Sequence, residues 1–187
     1  SLKLNYTAGT ARVLEYDFQV IDYAILSADA SVTPDESMPG FIWNVHQQTT
    51  DTATTVARAE SQLRGELGEN LAANFEQSNA IGFGQPEFPG DMPMQFEIPT
   101  VINYEQEGLD AGEINPTDWF PGIPGLDDIS PNDGIAAEIL TYIELPAGTH
   151  TLIVNSDDGF RTTAGNSRDI FRTQFCGEFN AGRGAGD

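Results

Sequence analysis

Hydrophobic residues fall in short runs and brief alternations along most of this chain, and a helical period surfaces only once. Residues 11–27 are rich in β-formers with patchy alternation, which predicts one or two strands. Phe41–Val45 reads as a short strand. Gln95–Ile98 and Val101–Tyr104 are strand-like and separated by Pro99. Ile135–Leu145, the turn Pro146-Ala147-Gly148 and Thr149–Asn155 have the grammar of a β-hairpin with a three-residue connection. Phe160–Ala164 and Phe171–Phe179 add two short strands. The helical exception is Thr52–Leu67, with Val56, Ala59, Leu63 and Leu67 on one narrow face. Asp51 or a nearby Thr is the predicted N-cap and Gly68 the predicted stop, and so narrow a face predicts packing against a sheet edge.

Between these elements lie long stretches without periodicity. Residues 28–40 and 81–95 are punctuated by Gly and Pro and read as loops. Residues 105–134 form a third loop that is unusually long for a compact domain, so it is expected to be functional or to be held by ions and its own aromatics. No internal repeat or linker divides the chain. The expectation is a single domain over 1–187, mainly β, an antiparallel β-sandwich with one short helix and long loops.

Composition narrows what such a domain can do. The 187 residues are 39% hydrophobic, with eleven Phe, five Tyr and two Trp, enough for a folded core. Eight Lys and Arg stand against 29 Asp and Glu, a net charge of −21. Phosphate backbones and anionic bilayers are repelled by such a surface, so nucleic-acid binding and membrane insertion are disfavoured. Two readings of the charge are compatible: a solvated acidic surface, and a protein that lives with divalent cations. Cys176 is the single cysteine, so no internal disulfide forms, and burial is the expected fate of its thiol. His46 and His150, the only two histidines, sit in no catalytic or zinc motif and read as ordinary surface or strand residues. No apolar run reaches the ~18 residues of a membrane span. Asn5-Tyr6-Thr7 matches the glycosylation sequon, a match common by chance.

The chemistry concentrates in Asn155-Ser156-Asp157-Asp158-Gly159-Phe160-Arg161. A strand-like run stops there at two adjacent carboxylates, which repel one another. A hard cation, a polar ligand or a tight turn held by carboxylate-to-amide hydrogen bonds would each account for them. Gly159 is expected to supply a positive φ, and Arg161 an ion pair. A second acidic cluster, Asp127-Asp128 with Asn132-Asp133-Gly134, fails the EF-hand frame and reads as an acidic loop or as a structural Ca2+ site. Trp119 and Phe120 read either as a loop anchor or as a sugar-stacking platform. Trp43 reads as core. Glu138 and Glu144 could form a glycosidase pair only as any two acids could, and no enzyme is expected.

Glu144-Leu145-Pro146-Ala147-Gly148 leading through Thr149–Val154 into Asn155-Ser156-Asp157-Asp158-Gly159-Phe160-Arg161 resembles the PA14 family of β-sandwich domains. Phe120-Pro121-Gly122-Ile123-Pro124-Gly125, Ile135–Tyr142 and Gly177-Glu178-Phe179-Asn180-Ala181-Gly182-Arg183-Gly184 resemble PA14-like modules of large secreted proteins in marine and planctomycete-type bacteria. The resemblance covers roughly residues 95–187. It implies that Asp157 and Asp158, joined by a cis peptide bond, ligate one Ca2+ that chelates vicinal sugar hydroxyls. Asn155, Gly159 and Trp119 join them as candidate ligand contacts. The family completes this site with a downstream Asn and loop carbonyls, for which Asn180 and Asp187 are the candidates here. The chain ends about 30 residues past Asp158, so the closing strands are expected to be missing. The implied function is a secreted or cell-surface module for Ca2+-dependent carbohydrate binding or adhesion. Its partner would be a glycan or a neighbouring cell-surface protein, with possible assembly through an unfinished C-terminal edge. The alternative is a structural building block of an extracellular assembly with no sugar ligand.

Overall fold

A computed structural model describes residues 2–8, 10–16, 23–37, 39–50, 53–72, 90–104, 123–126, 133–167 and 172–182. The fold is mainly β, with antiparallel pairing and one short helix. In chain order the strands are β1 (Leu2–Ala8), β2 (Thr10–Tyr16), β3 (Phe41–Gln47), β4 (Met94–Ile98), β5 (Ile135–Leu140), β6 (Phe160–Ala164) and β7 (Gln174–Phe179). The helix α1 spans Val56–Leu63, and a single 3-10 turn covers Ala28–Ala30. The chain divides into two compact units. One comprises Ser1–Ser31 and Thr163–Cys176, the other Val32–Thr162 and Gly177–Asp187.

In the first unit β1 and β2 pair antiparallel from Leu2↔Tyr16 to Ala8↔Thr10. In the second, three strands lie in the order β4-β3-β5. Alternation along β3 and β4 makes one face apolar, with Phe41 opposite Ile98, Trp43 opposite Phe96 and Val45 opposite Met94. Ala72, Ile102, Tyr104, Ile123 and Leu126 close over that face. Tyr104 meets Trp43 edge to face at 5.2 Å, so Trp43 is core as expected. On the opposite face a polar row crosses all three strands. Gln95 Nε2 donates to Asn44 Oδ1 at 2.7 Å, and Asn44 Nδ2 donates to Glu138 Oε2 at 2.6 Å. β6 and β7 form a separate pair.

The end of β3, beyond its pairing with β4, is held by side chains that bond its backbone. Asn70 Oδ1 accepts from the amides of Gln47 and Ala72, and its Nδ2 donates to the carbonyls of Val45 and Met92. Gln62, on α1, donates to the carbonyls of His46 and Gly134, both at 2.6 Å. These bonds satisfy backbone groups where β4 has not yet begun and β5 starts.

Three sequence expectations shift. The helix is shorter than Thr52–Leu67: the Thr55 hydroxyl accepts from Arg58 N and sets the start, and Gly65 at φ +72° ends it before Gly68 is reached. Val101–Tyr104 forms no strand, because Pro99 removes an amide donor just past β4. The predicted 135–155 hairpin is replaced by a strand that stops at Leu140. Leu140 pairs with Ile42, near the start of β3, and Gly40 at φ +97° then turns the neighbouring chain away. Thr141 Oγ1 donates to the Gly40 carbonyl at 2.7 Å, and residues 141–155 continue with no strand pairing.

Candidate functional site

The acidic corner sits just ahead of β6. Asp157 and Asp158 form a bend, both exposed, and the Ser156 hydroxyl donates to the Asp158 carbonyl at 2.8 Å. The peptide bond between the two acids is trans, so the cis linkage implied by the PA14 resemblance is corrected. Partial burial, then the charge of Asp157, pushes the Asp158 carboxyl above the usual aspartate range. Asn155 is exposed in the segment leading to the corner.

Gly159 does not adopt the positive φ expected of it. Close approach explains the glycine instead. A methyl group there would stand 3.0 Å from the Phe179 carbonyl oxygen and 3.2 Å from that of Thr54. The corner is thereby pressed against two segments distant in sequence, the approach to α1 and the stretch after β7. These segments are joined directly: Asn180 Oδ1 accepts from Val56 N at 2.8 Å and caps the helix. One oxygen of the candidate third ligand is therefore engaged by the helix. Asp187 lies outside the described residues.

Two side-chain oxygens approach Gly182. A methyl group there would lie 3.2 Å from Thr54 Oγ1 and 3.3 Å from Asp158 Oδ1, so both oxygens lie close to Gly182. Asp158 Oδ1 and Thr54 Oγ1 are hard oxygen donors of the kind Ca2+ prefers. Among the described residues no group of three or more His, Cys, Asp or Glu gathers anywhere, so further oxygens would come from carbonyls, water or a ligand.

Arg161 is paired, as expected, but not with the acidic corner. Its guanidinium bridges Glu60 on α1 and Glu178 on β7, the latter at 2.7 Å. Sequence reading missed Thr54, Gly182, Glu60 and Glu178. Their roles depend on α1 lying beside the 178–182 segment, which no local spacing encodes.

Other candidates are placed as follows. Trp119, Phe120, Asp127 and Asp128 lie outside the described residues. At the second acidic cluster the Asp133 carbonyl accepts from Gln47 Nε2, and the Gly134 carbonyl from Gln62 Nε2 and Gln48 N. Glu138 belongs to the polar row across the sheet, and Glu144 is exposed on the 141–155 stretch. His46 is a strand residue but wholly buried. Its Nε2 donates to the carbonyls of Asp91 and Gly68 at 3.0 and 3.3 Å, and its Nδ1 has no partner. His150 is exposed, its Nε2 2.8 Å from the Pro146 carbonyl. Cys176 is free and partly buried. A shallow cleft of about 410 Å3, walled by residues of 25–30 and 164–174, contains none of the predicted site residues. Among the described residues no helix is long and apolar enough to cross a membrane.

Neither a protein-family model, nor a curated protein, nor a solved structure matches the chain.

Proposed function

We propose that this chain is a PA14-like β-sandwich module, secreted or displayed on a cell surface, that holds Ca2+ at Asp157 and Asp158 and uses it to bind carbohydrate or to adhere. The observation that carries the reading is the proximity of Asp158 Oδ1 and Thr54 Oγ1 at Gly182, with Asp157 adjacent in sequence. A bound cation would offset the partial burial and the Asp157 charge that raise the Asp158 pKa, and its remaining coordination positions would take vicinal hydroxyls of a sugar. Asp157, Asp158 and Thr54 would hold the ion. Glu60, Arg161 and Glu178 position the helix and strand on either side of it.

Calorimetric and thermal titration with Ca2+ after chelation tests the metal, and a glycan array read with and without EDTA tests the sugar. Binding should stabilise the fold by about 2.7 kcal/mol at a hundred times the dissociation constant. No calcium response at millimolar ion sinks the reading. A calcium response with a blank array would instead favour the structural building block, with the ion as a staple.

A further inference from the structure

Asp133-Gly134, at the end of the second acidic cluster, takes no part in the calcium reading but carries chemistry of its own. An aspartate followed by glycine is open to attack by the chain on its own side chain, because glycine puts no side chain in the way of its amide nitrogen. The chain holds two such pairs, Asp133-Gly134 and Asp158-Gly159, and the structure separates them. Asp133 is exposed in a bend just ahead of β5, and among the described residues its carboxylate makes no hydrogen bond. Gly134 stands at φ +72°, and no acceptor among the described residues takes its amide hydrogen. The carbonyls around that nitrogen are fixed. Gln47 Nε2 donates to the Asp133 carbonyl at 3.2 Å, and Gln62 Nε2 and Gln48 N donate to that of Gly134 at 2.6 and 3.0 Å. The Asp133 carbonyl and the Gly134 N–H belong to one peptide group, so the Gln47 bond draws electrons from the nitrogen and makes its hydrogen more acidic. By contrast, the Asp158 carboxylate lies against Gly182 and Thr54, and Gly159 is wedged against the Phe179 carbonyl.

We propose that Asp133 is a site of spontaneous isomerisation, at which the chain is rerouted through the aspartate side chain and the hold on the end of β3 is loosened. The Gly134 nitrogen bonds to Cγ of Asp133. The carboxyl oxygen leaves as water, taking the amide hydrogen with it, and a cyclic imide remains. Water then adds back and breaks the bond between that nitrogen and the original main-chain carbonyl carbon. The product is isoaspartate, with the chain running through Cγ and the former carbonyl released as a carboxylate. One water leaves and one returns, and nothing is oxidised or reduced. The rerouted backbone is longer by one methylene between Asp133 and β5. The acceptor of Gln47 Nε2 no longer lies in the chain, and the Gly134 carbonyl shifts against Gln62 and Gln48, whose bonds to it weaken.

The test is to age the full chain for several weeks at neutral pH, then digest it and map isoaspartate with an isoaspartate-specific methyltransferase and mass spectrometry. EDTA throughout keeps any ion off Asp158, so the comparison is independent of the calcium reading. Isoaspartate should exceed that at Asp158 severalfold at Asp133, with the imide visible beside it by the missing mass of one water. Asp133→Glu keeps the charge but can close only to a larger, slower-forming ring. It should remove the signal at this position while leaving the melting of the fresh protein unchanged. The aged wild type should unfold at a lower urea midpoint than the fresh protein, and aged Asp133→Glu should not. A native chain without isoaspartate at Asp133, when a free peptide of residues 130–137 forms it, overturns the proposal. So does as much isoaspartate at Asp158 as at Asp133, since the dipeptide and not the structure would then decide. An aged wild type with an unchanged midpoint, or a midpoint that falls equally in Asp133→Glu, overturns it as well.

Discussion

At the scale of single residues, two titratable groups carry opposite signatures. His46 is enclosed with Nδ1 unpartnered, and burial foremost, with Arg58 adding to it, lowers its pKa against the opposing carbonyls of Gly68 and Asp91 and the Asp91 charge. The unfolded chain therefore takes up this proton first as pH falls. Its contribution is fully present above about pH 6.5 and is lost below it. Urea midpoints should decline from there toward pH 5, and His46→Gln should flatten that slope, leaving the carboxylate-driven loss at lower pH. Asp158 has the reverse sign: a raised folded pKa means that ionisation costs stability as pH rises through it. In EDTA at neutral pH, Asp158→Asn should stabilise the fold by a few tenths of a kcal/mol, the scale of one like-charge contact. The same variant should abolish any calcium response in thermal melts.

Among elements, the strands written by strong local pattern were legible: Phe41–Val45, Gln95–Ile98 and Phe160–Ala164 recur with shifts of no more than two residues at an end. At Asp157-Asp158 only the turn was legible: the two acids form an exposed bend, joined by a trans peptide bond. What escaped were features set by remote partners. β5 stops where β3 begins to turn away, and the helix starts where Thr55 and a distant Asn180 cap it. Asn70 is the clearest instance, since nothing around it in sequence announces a residue that serves four backbone groups. Asn70→Ala would orphan two buried amides and two carbonyls, so a loss of about 3 kcal/mol is expected in urea unfolding.

The molecule as a whole is governed by its charge. A net −21 makes any salt stabilising to some degree, through screening alone. A true site differs in kind: the calcium response should saturate, and Mg2+, which keeps its waters and demands octahedral geometry, should not reproduce it at equal ionic strength. The polar clasp at the end of β3 has a further consequence, for kinetics. Apart from the Ala72 to Asn70 bond, its hydrogen bonds join residues 16 to 86 positions apart, so they form only after several loops have closed. Such contacts belong to the last steps of folding and the first of unfolding. Asn70→Ala should then raise the unfolding rate roughly 100-fold while leaving the folding rate almost unchanged, so that the clasp sets how long the native state lasts and not how quickly it is reached.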